Sequence, residues 1–225
     1  MIRAYINNVE VEVDEGTTIL EAAKKAGFII PTLCHHDDLK PHGSCGICVV
    51  EIEGFPSMKR ACMTEIANGW KIHTNSAQVR ATRKVLLELI LSNHYMDCPT
   101  CIKNNACELQ QLAATLGITT LINQSNFKRK PIDSTSLSIV RDPNKCIMCG
   151  RCIQVCTEIQ TVNALALNNR GFYTSITDAF DVGLGNSPCV NCGQCTVYCP
   201  VGALYEKSHA ENVWDAINDN TKHVV

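Results

Sequence analysis

The chemistry of this sequence is concentrated in its cysteines, of which there are 15 in 225 residues. An odd number fits a disulfide framework poorly, and the spacing divides them into four sets, one of them completed by a histidine. Sets of this kind bind zinc or iron–sulfur clusters. We call them sites 1 to 4. They are Cys34, Cys45, Cys48 and Cys62 (site 1); His94, Cys98, Cys101 and Cys107 (site 2); Cys146, Cys149, Cys152 and Cys199 (site 3); and Cys156, Cys189, Cys192 and Cys195 (site 4).

Sites 3 and 4 come from a duplicated pattern. A run of four cysteines that begins at Cys146 recurs 43 positions later, and both runs have gaps of two, two and three residues. In this spacing, three cysteines of a run bind one [4Fe–4S] cluster and the fourth binds the other cluster. We therefore expect Cys156 and Cys199 to be exchanged between the two sites. Thr157 stands where the second run has Pro200, which predicts a looser turn at Cys156.

Site 1 is a Cys-x-x-Cys pair with one further cysteine on either side. Four thiolates on loops beside a small sheet suit a [2Fe–2S] cluster, and nearby glycines let backbone N–H groups approach it. The ten-residue gap after Cys34 is longer than the plant-type gap of four. A structural zinc site is the alternative, since zinc also accepts four cysteines. We expect His35 and His36 to be solvated loop residues, because the cysteines already complete the site.

Site 2 is ambiguous by itself. Three cysteines and one histidine are a common zinc set, so residue chemistry alone favours zinc. The neighbouring sets favour a [4Fe–4S] cluster, with His94 as fourth ligand because it is the only histidine between Lys84 and Thr115. Imidazole in place of thiolate removes a negative charge, a change that raises the potential in Rieske centres. The prediction is one [2Fe–2S] and three [4Fe–4S] clusters, one of them with a His ligand.

Different elements must position the four sites, and the predicted class is α+β. For residues 1–76, alternating apolar residues, an Asn7-Asn8 turn and a helix ending at Gly27 predict a β-grasp fold. Residues 77–135 are predicted to form a small helical domain around site 2, with a linker at 123–135. Residues 136–209 are predicted to form a two-cluster, bacterial-ferredoxin-like domain. Residues 210–225 are assigned to a C-terminal helix and tail, with a polar helical pattern from Tyr205 to Asp219.

Composition excludes several classes of function. The net charge of −2, from 20 basic and 22 acidic residues, gives no argument for nucleic-acid binding. The N-terminus has no signal-peptide core, and no apolar segment is long enough for a direct membrane span. We therefore expect a cytoplasmic protein, in which thiols stay reduced. No dinucleotide-binding glycine fingerprint or phosphate loop is present, so no catalytic site is expected in this chain.

Together, these motifs resemble the N-terminal electron-transfer region of [FeFe]-hydrogenases. They are also similar to the large iron–sulfur subunit of complex I and of some NAD-dependent formate dehydrogenases. The resemblance rests on residues 31–34 (Pro-Thr-Leu-Cys), 43–48 (Gly-Ser-Cys-Gly-Ile-Cys), 61–62 (Ala-Cys), site 2 and 189–200. It implies the three domain types predicted above, and the duplicated cysteine runs favour the hydrogenase branch. In that branch, a segment like 206–209 leads into a catalytic domain, and this sequence ends about where that domain would begin.

The sequence thus predicts a relay of single electrons in a multi-subunit NAD(P)-linked oxidoreductase of the hydrogenase or complex I type, electron-bifurcating types included. The implied partners are flavin- and NAD(P)-binding subunits and small iron–sulfur subunits. Ferredoxin or a hydrogenase-type catalytic domain would be the terminal site. The alternative is a zinc-stabilised scaffold that binds partners without redox activity. A redox sensor would need an output domain, and the sequence contains none.

Overall fold

The computed structural model describes residues 1–120, 129–219 and 221. Its N-terminal unit is a five-stranded sheet with strand order β2-β1-β5-β3-β4, in which β1 and β5 are parallel and the other neighbours antiparallel. The strands are β1 (Ile2–Ile6), β2 (Val9–Val13), β3 (Val49–Ile52), β4 (Lys59–Arg60) and β5 (Lys71–His73), and helix α1 spans Ile19–Lys25. A sheet packed on one helix is the β-grasp arrangement predicted from the sequence.

Local sequence explains how this unit begins. Asn7 and Asn8 both have left-handed backbone, with φ of 49° and 69°, as a two-residue type I′ turn requires. Thr18 caps α1, because its hydroxyl accepts the Glu21 N–H at 3.2 Å while the Glu21 carboxylate accepts the Thr18 N–H at 2.8 Å. Apolar residues of β1, β2 and α1 then pack into one core beneath the sheet.

Two helices flank site 2, as predicted: α2 (Ala77–Ser92) and α3 (Glu108–Thr115). Helix α2 also buries a charge that the apolar pattern did not indicate. The Arg83 side chain is buried, and its guanidinium donates to the carbonyls of Ile47 at 3.0 Å and Val49 at 2.8 Å. Both carbonyls lie in or just after the loop of site 1, so Arg83 joins α2 to that site. The predicted linker at 123–135 falls partly outside the described residues.

Among the described residues, the C-terminal half contains two short antiparallel strand pairs and three α-helices. They are β6 (Ile139–Arg141) with β9 (Leu204–Glu206), β7 (Ala166–Asn168) with β8 (Ser175–Thr177), α4 (Arg151–Gln154), α5 (Gln194–Tyr198) and α6 (Ala210–Asn218). The prediction of a polar helix from Tyr205 was wrong in two respects. Tyr205 pairs with Val140 in the sheet, so the helix starts later. Helix α6 is also amphipathic, with Val213, Trp214 and Ile217 at least half exposed. The predicted tail beyond 221 lies outside the described residues.

The duplication is visible in the backbone. Met148 and Asn191, one repeat apart, have φ of 56° and 57°, and Gly150 and Gly193 have φ of 78° and 75°. These left-handed residues turn each cysteine run into its helix, α4 or α5. After the helices, the copies differ. The looser turn expected at Cys156 is present as a π-helical segment, Val155–Ile159. In the second copy the chain leaves α5 in an extended conformation before the proline.

Two hydrophobic cores organise the described residues. One lies between the N-terminal sheet and α1. The other combines buried residues from many segments between Leu33 and Leu204, and it includes buried cysteines of sites 2, 3 and 4. Apolar residues of the site 1 loop therefore belong to the same hydrophobic core as the other three sites. Within the described part of the chain, no helix combines the length and apolar character needed to cross a bilayer.

Candidate iron–sulfur centres

Site 3 is a cavity lined by all four of its predicted cysteines, Cys146, Cys149, Cys152 and Cys199. Three of them are buried, and the rest of the wall is mainly apolar. Cys199 belongs to the second cysteine run, whereas the other three belong to the first. The structure therefore brings together the exchanged set that the spacing predicts.

Site 4 is a second cavity, formed mainly by the second cysteine run. It is lined by its four predicted cysteines, with Cys156 contributed by the first run. The Cys156 sulfur accepts the Ala164 N–H at 3.3 Å, which holds the π-helical turn against the following loop. Cys195 is buried and Cys192 is exposed. Site 4 is therefore closer to solvent than site 3.

Burial determines the acid–base state of these thiols. It raises the pKa of Cys146 to about 11 and the pKa values of Cys149 and Cys195 to about 12. Each thiol is thus protonated at neutral pH until a metal displaces its proton. A cluster that binds here must release protons as it assembles.

In site 1, the cysteines form two close pairs. The sulfur atoms of Cys48 and Cys62 are 3.3 Å apart, and the Cys45 N–H donates to the Cys34 sulfur at 3.5 Å. A hydrogen bond from the Cys45 thiol lowers the pKa of Cys34 to about 5, and one from the Cys62 thiol lowers the pKa of Cys48 to about 7. The pKa values of the two donor thiols are raised for the same reason. In each pair, the cysteine that accepts the hydrogen bond thus loses its proton more readily than a free thiol.

The site 1 loop needs glycine at two positions. Gly43 and Gly46 have φ of 64° and 71°, in the left-handed region that side chains avoid. A Cβ on Gly43 would also lie 2.8 Å from Cγ of Met63. The backbone can therefore turn tightly around the Cys45 and Cys48 thiols.

The three predicted cysteines of site 2 lie near one another, since the pKa of Cys107 is raised by burial and also by the charges of Cys101 and Cys98. His94, Cys98 and Cys107 line one cavity between α2 and α3, which is more open than the cavities of sites 3 and 4. Cys101 is not in its lining and lies instead against Gly202, where an added Cβ would be 2.6 Å from the Cys101 sulfur. Burial lowers the pKa of His94, which favours the neutral imidazole that metals bind. Its Nδ1 is buried and accepts or donates no hydrogen bond among the described residues.

The long loop between Cys34 and Cys45 packs against the C-terminal half of the chain. His42 Nε2 lies 2.5 Å from the Cys149 carbonyl oxygen and must donate, since a carbonyl only accepts. The Gln154 amide donates to the Lys40 carbonyl at 2.7 Å. The loop that makes this spacing longer than the plant-type one therefore also joins site 1 to site 3.

The expectation that His35 and His36 are solvated loop residues is wrong for His35 and holds only in part for His36, whose side chain is 38% exposed. The His35 side chain is 17% exposed, and its carbonyl accepts a hydrogen bond from Arg151 at 2.8 Å. The His36 ring packs on the Tyr198 ring, with centroids 4.7 Å apart. Neither contact could be read from the sequence, because each joins residues more than 100 positions apart.

The donors fit iron–sulfur clusters chemically. In sites 3 and 4, four soft sulfur donors surround an apolar space, as a [4Fe–4S] cluster with one thiolate per iron requires. The unpartnered Nδ1 of His94 leaves an imidazole nitrogen uncommitted beside two thiols. Among the described residues, no three His, Cys, Asp or Glu side chains converge closely enough to hold a single metal ion.

Three family models match successive parts of the chain. Residues 1–77 match a 2Fe-2S iron-sulfur cluster binding domain, and residues 83–121 match the NADH-ubiquinone oxidoreductase-G iron-sulfur binding region. Residues 139–157 and 186–205 match a 4Fe-4S binding domain. The last two segments contain the two cysteine runs.

Curated relatives resemble the chain along almost its whole length. It is 39% identical to the NADP-reducing hydrogenase subunit HndD of Solidesulfovibrio fructosivorans, over 100% of this chain and 39% of the relative. It is 35% identical to an NADH-quinone oxidoreductase subunit of Rhizobium meliloti, over 98% of this chain and 26% of the relative. It is 38% identical to the NADPH-Fe(3+) oxidoreductase subunit alpha of Geobacter sulfurreducens, over 92% of this chain and 24% of the relative. The chain thus spans less than half the length of these relatives.

A solved structure extends the likeness to the fold. A chain of the NAD+-reducing [NiFe]-hydrogenase in its H2-reduced state superimposes with a TM-score of 0.85 at 31% identity. The match covers 92% of this chain and 88% of the hydrogenase chain. The predicted relationship is confirmed: this chain belongs to the family of iron–sulfur subunits found in NADH-quinone oxidoreductases and in NAD(P)-linked hydrogenases.

Proposed function

We propose that this chain relays single electrons within an NAD(P)-linked oxidoreductase, through a [2Fe–2S] cluster at site 1 and a [4Fe–4S] cluster at each of sites 2, 3 and 4. The observation that carries the proposal is the pair of apolar cavities at sites 3 and 4. Each is lined by four cysteines drawn from both halves of the repeat. Such clusters accept and release one electron at a time, and the protein sets their spacing and surroundings.

The ligand assignments and the domain limits belong to the same proposal. His94 is assigned to site 2 together with Cys98, Cys101 and Cys107. The domains are 1–76 for site 1, 77–135 for site 2 and linker, 136–209 for sites 3 and 4, and 210–225 for the C-terminal helix and tail. The family-model boundaries at 77, 83 and 139 lie close to these limits and support them.

Site 3 is the junction of the relay. Its Cys149 carbonyl accepts the hydrogen bond from His42 in the site 1 loop. On the side of site 2, the Tyr95 N–H donates to the Asn144 carbonyl at 2.9 Å, and the Lys145 ammonium lies 3.1 Å from Asp97. Both contacts join residues adjacent to ligands of site 2 to the two residues that precede the site 3 run. Site 4, with its exposed cysteine, suits exchange of electrons with a partner.

The partners proposed are flavin- and NAD(P)-binding subunits and small iron–sulfur subunits, with ferredoxin or a hydrogenase-type catalytic domain as the terminal site. The names of the relatives support an NAD(P)-linked complex. The chain contains no nucleotide-binding motif, so the nicotinamide chemistry is assigned to a partner.

The deciding experiment is an anaerobic measurement of iron, acid-labile sulfide and zinc per chain. The proposal predicts about 14 iron atoms with matching sulfide and no zinc. About ten iron atoms and one zinc would make site 2 a structural zinc site and leave a three-cluster relay. Several zinc ions without sulfide would replace the relay by the zinc-stabilised scaffold.

A second measurement tests the histidine ligand. His94→Cys would replace a neutral donor by a thiolate, and the added negative charge should lower the midpoint potential of site 2 alone. A redox titration followed by EPR measures the change. An unchanged midpoint would remove His94 from the ligand set.

A further inference from the structure

One buried guanidinium touches the neighbourhood of three of the four sites. Arg151 lies one residue before Cys152 of site 3, and its side chain is 4% exposed. It donates to both carboxylate oxygens of Glu108, at 2.7 and 2.8 Å, and to the His35 carbonyl at 2.8 Å. Glu108 directly follows a ligand of site 2, and His35 directly follows a ligand of site 1. Through these three hydrogen bonds, the Arg151 side chain links the ligand loops of sites 1 and 2 to its own loop at site 3.

The geometry of this contact is rigid. A bidentate pair between a guanidinium and a carboxylate fixes orientation as well as distance, and such charge-assisted bonds are stronger than neutral ones. Glu108 is also the first residue of α3, and its N–H donates to the Pro200 carbonyl at 3.0 Å. Pro200 follows Cys199 of site 3. The Arg151–Glu108 pair is thus tied to backbone that carries cysteines of sites 1, 2 and 3.

The pair also carries charge close to two of the sites. The positive charge of Arg151 interacts with the thiols of Cys34 in site 1 and Cys149 in site 3. Glu108 is the partner that offsets this charge. Reduction adds negative charge to a cluster, so a nearby cation raises its midpoint potential and a nearby anion lowers it.

We propose that Arg151 is a positioning residue that fixes sites 1, 2 and 3 relative to one another and, together with Glu108, sets the electrostatic potential at sites 1 and 3. The inference rests on the proposed function, because it needs clusters at these sites. The iron and sulfide content of the wild-type chain tests that function independently. Failure of the present inference would leave a fully loaded relay whose potentials do not depend on this pair.

The test uses two substitutions with opposite effects on charge. Arg151→Met removes the cation and keeps an apolar side chain of similar length, so the midpoints of sites 1 and 3 should fall. Glu108→Gln removes the anion and keeps an acceptor for the guanidinium, so the same midpoints should rise. EPR-monitored redox titration of the fully loaded chain measures both. Site 4, to whose ligand loops the Arg151 side chain donates no hydrogen bond among the described residues, is the internal reference.

A third substitution separates position from charge. Arg151→Lys keeps the cation but cannot bridge Glu108 and the His35 carbonyl in the same geometry. Its midpoints should stay near those of the wild type, while the magnetic coupling between sites 1 and 3 weakens. As a matched control, Arg170→Met removes an exposed arginine from the β7–β8 hairpin and should alter neither quantity.

The outcomes divide clearly. Opposite shifts in Arg151→Met and Glu108→Gln support the proposal, because loss of a purely structural contact would move both variants in one direction. Shifts in the same direction, or unchanged midpoints with unchanged coupling, overturn it. If Arg151→Met does not take up its iron, Glu108→Gln decides the charge role, and a midpoint that does not rise at sites 1 and 3 overturns it.

Discussion

Gly202 provides a direct test of how Cys101 is placed. Gly202 lies outside the left-handed region, so alanine there meets no strain of the left-handed kind. A Cβ would lie 2.6 Å from the Cys101 sulfur and 3.4 Å from Cδ of Lys145. Carbon atoms pack best at roughly 3.5–4.0 Å, and sulfur is larger, so Gly202→Ala must displace the thiol by about 1 Å.

The expected cost follows from overpacking. Forcing an extra methyl group into a packed interior costs about 1–3 kcal/mol, and here the strain falls on a predicted ligand of site 2. We therefore expect Gly202→Ala to lose iron from site 2 first when challenged with a chelator. The loss would be about four iron atoms per chain, with the EPR signals of sites 1, 3 and 4 retained.

Gly54→Ala is the control for this experiment. Gly54 has a φ of 84° and nothing within 4 Å of an added Cβ, so alanine introduces backbone strain of about 1–3 kcal/mol but no contact with any site. Loss of stability alone would then affect both variants alike. If Gly202→Ala keeps its iron and its site 2 signal as well as Gly54→Ala does, Cys101 does not lie against Gly202 when the cluster is bound, and the reasoning is refuted.

The acid–base state of the thiols, the buried Arg83 side chain and the exposure of Cys192 each give a further prediction. Burial raises the pKa of Cys146 to about 11 and that of Cys149 to about 12, so iron binding at site 3 must displace protons from these thiols. The affinity of site 3 for iron should therefore increase from pH 7 to 9, by up to about tenfold per pH unit for each proton released. Chelator competition measures this affinity, and a flat pH profile contradicts the prediction. Arg83→Met removes the donor of two buried carbonyls, which should lower the free energy of unfolding by about 1–3 kcal/mol for each carbonyl. It should also alter the visible circular dichroism of site 1. Lys84→Met, which replaces the exposed neighbouring residue, should have neither effect. Because Cys192 is exposed, ferricyanide should destroy site 4 before site 3, and equal rates of iron loss would contradict this order.

Much of this protein follows from local sequence. In each duplicated run, gaps of two and three residues let three cysteines bind one cluster and the fourth bind the other, so they predict the sets of sites 3 and 4 and the exchange of Cys156 and Cys199. The Asn7-Asn8 turn and the capped helix α1 were equally predictable, because left-handed turns and N-caps depend on neighbouring residues. The family relationship, carried by the same motifs, is confirmed by the comparisons.

Only the tertiary structure decided how the sites are joined. The site 1 loop packs on the C-terminal half through hydrogen bonds between residues 107 and 116 positions apart, a separation that no local pattern encodes. Buried arginines were missed for a related reason. Arg83 and Arg151 are charged, so hydropathy assigns them to the surface, and only the carbonyls and the carboxylate that surround them in the fold make their burial favourable. Spacing along the chain thus predicted which residues belong to each candidate site, whereas packing between distant segments determined how the sites lie relative to one another.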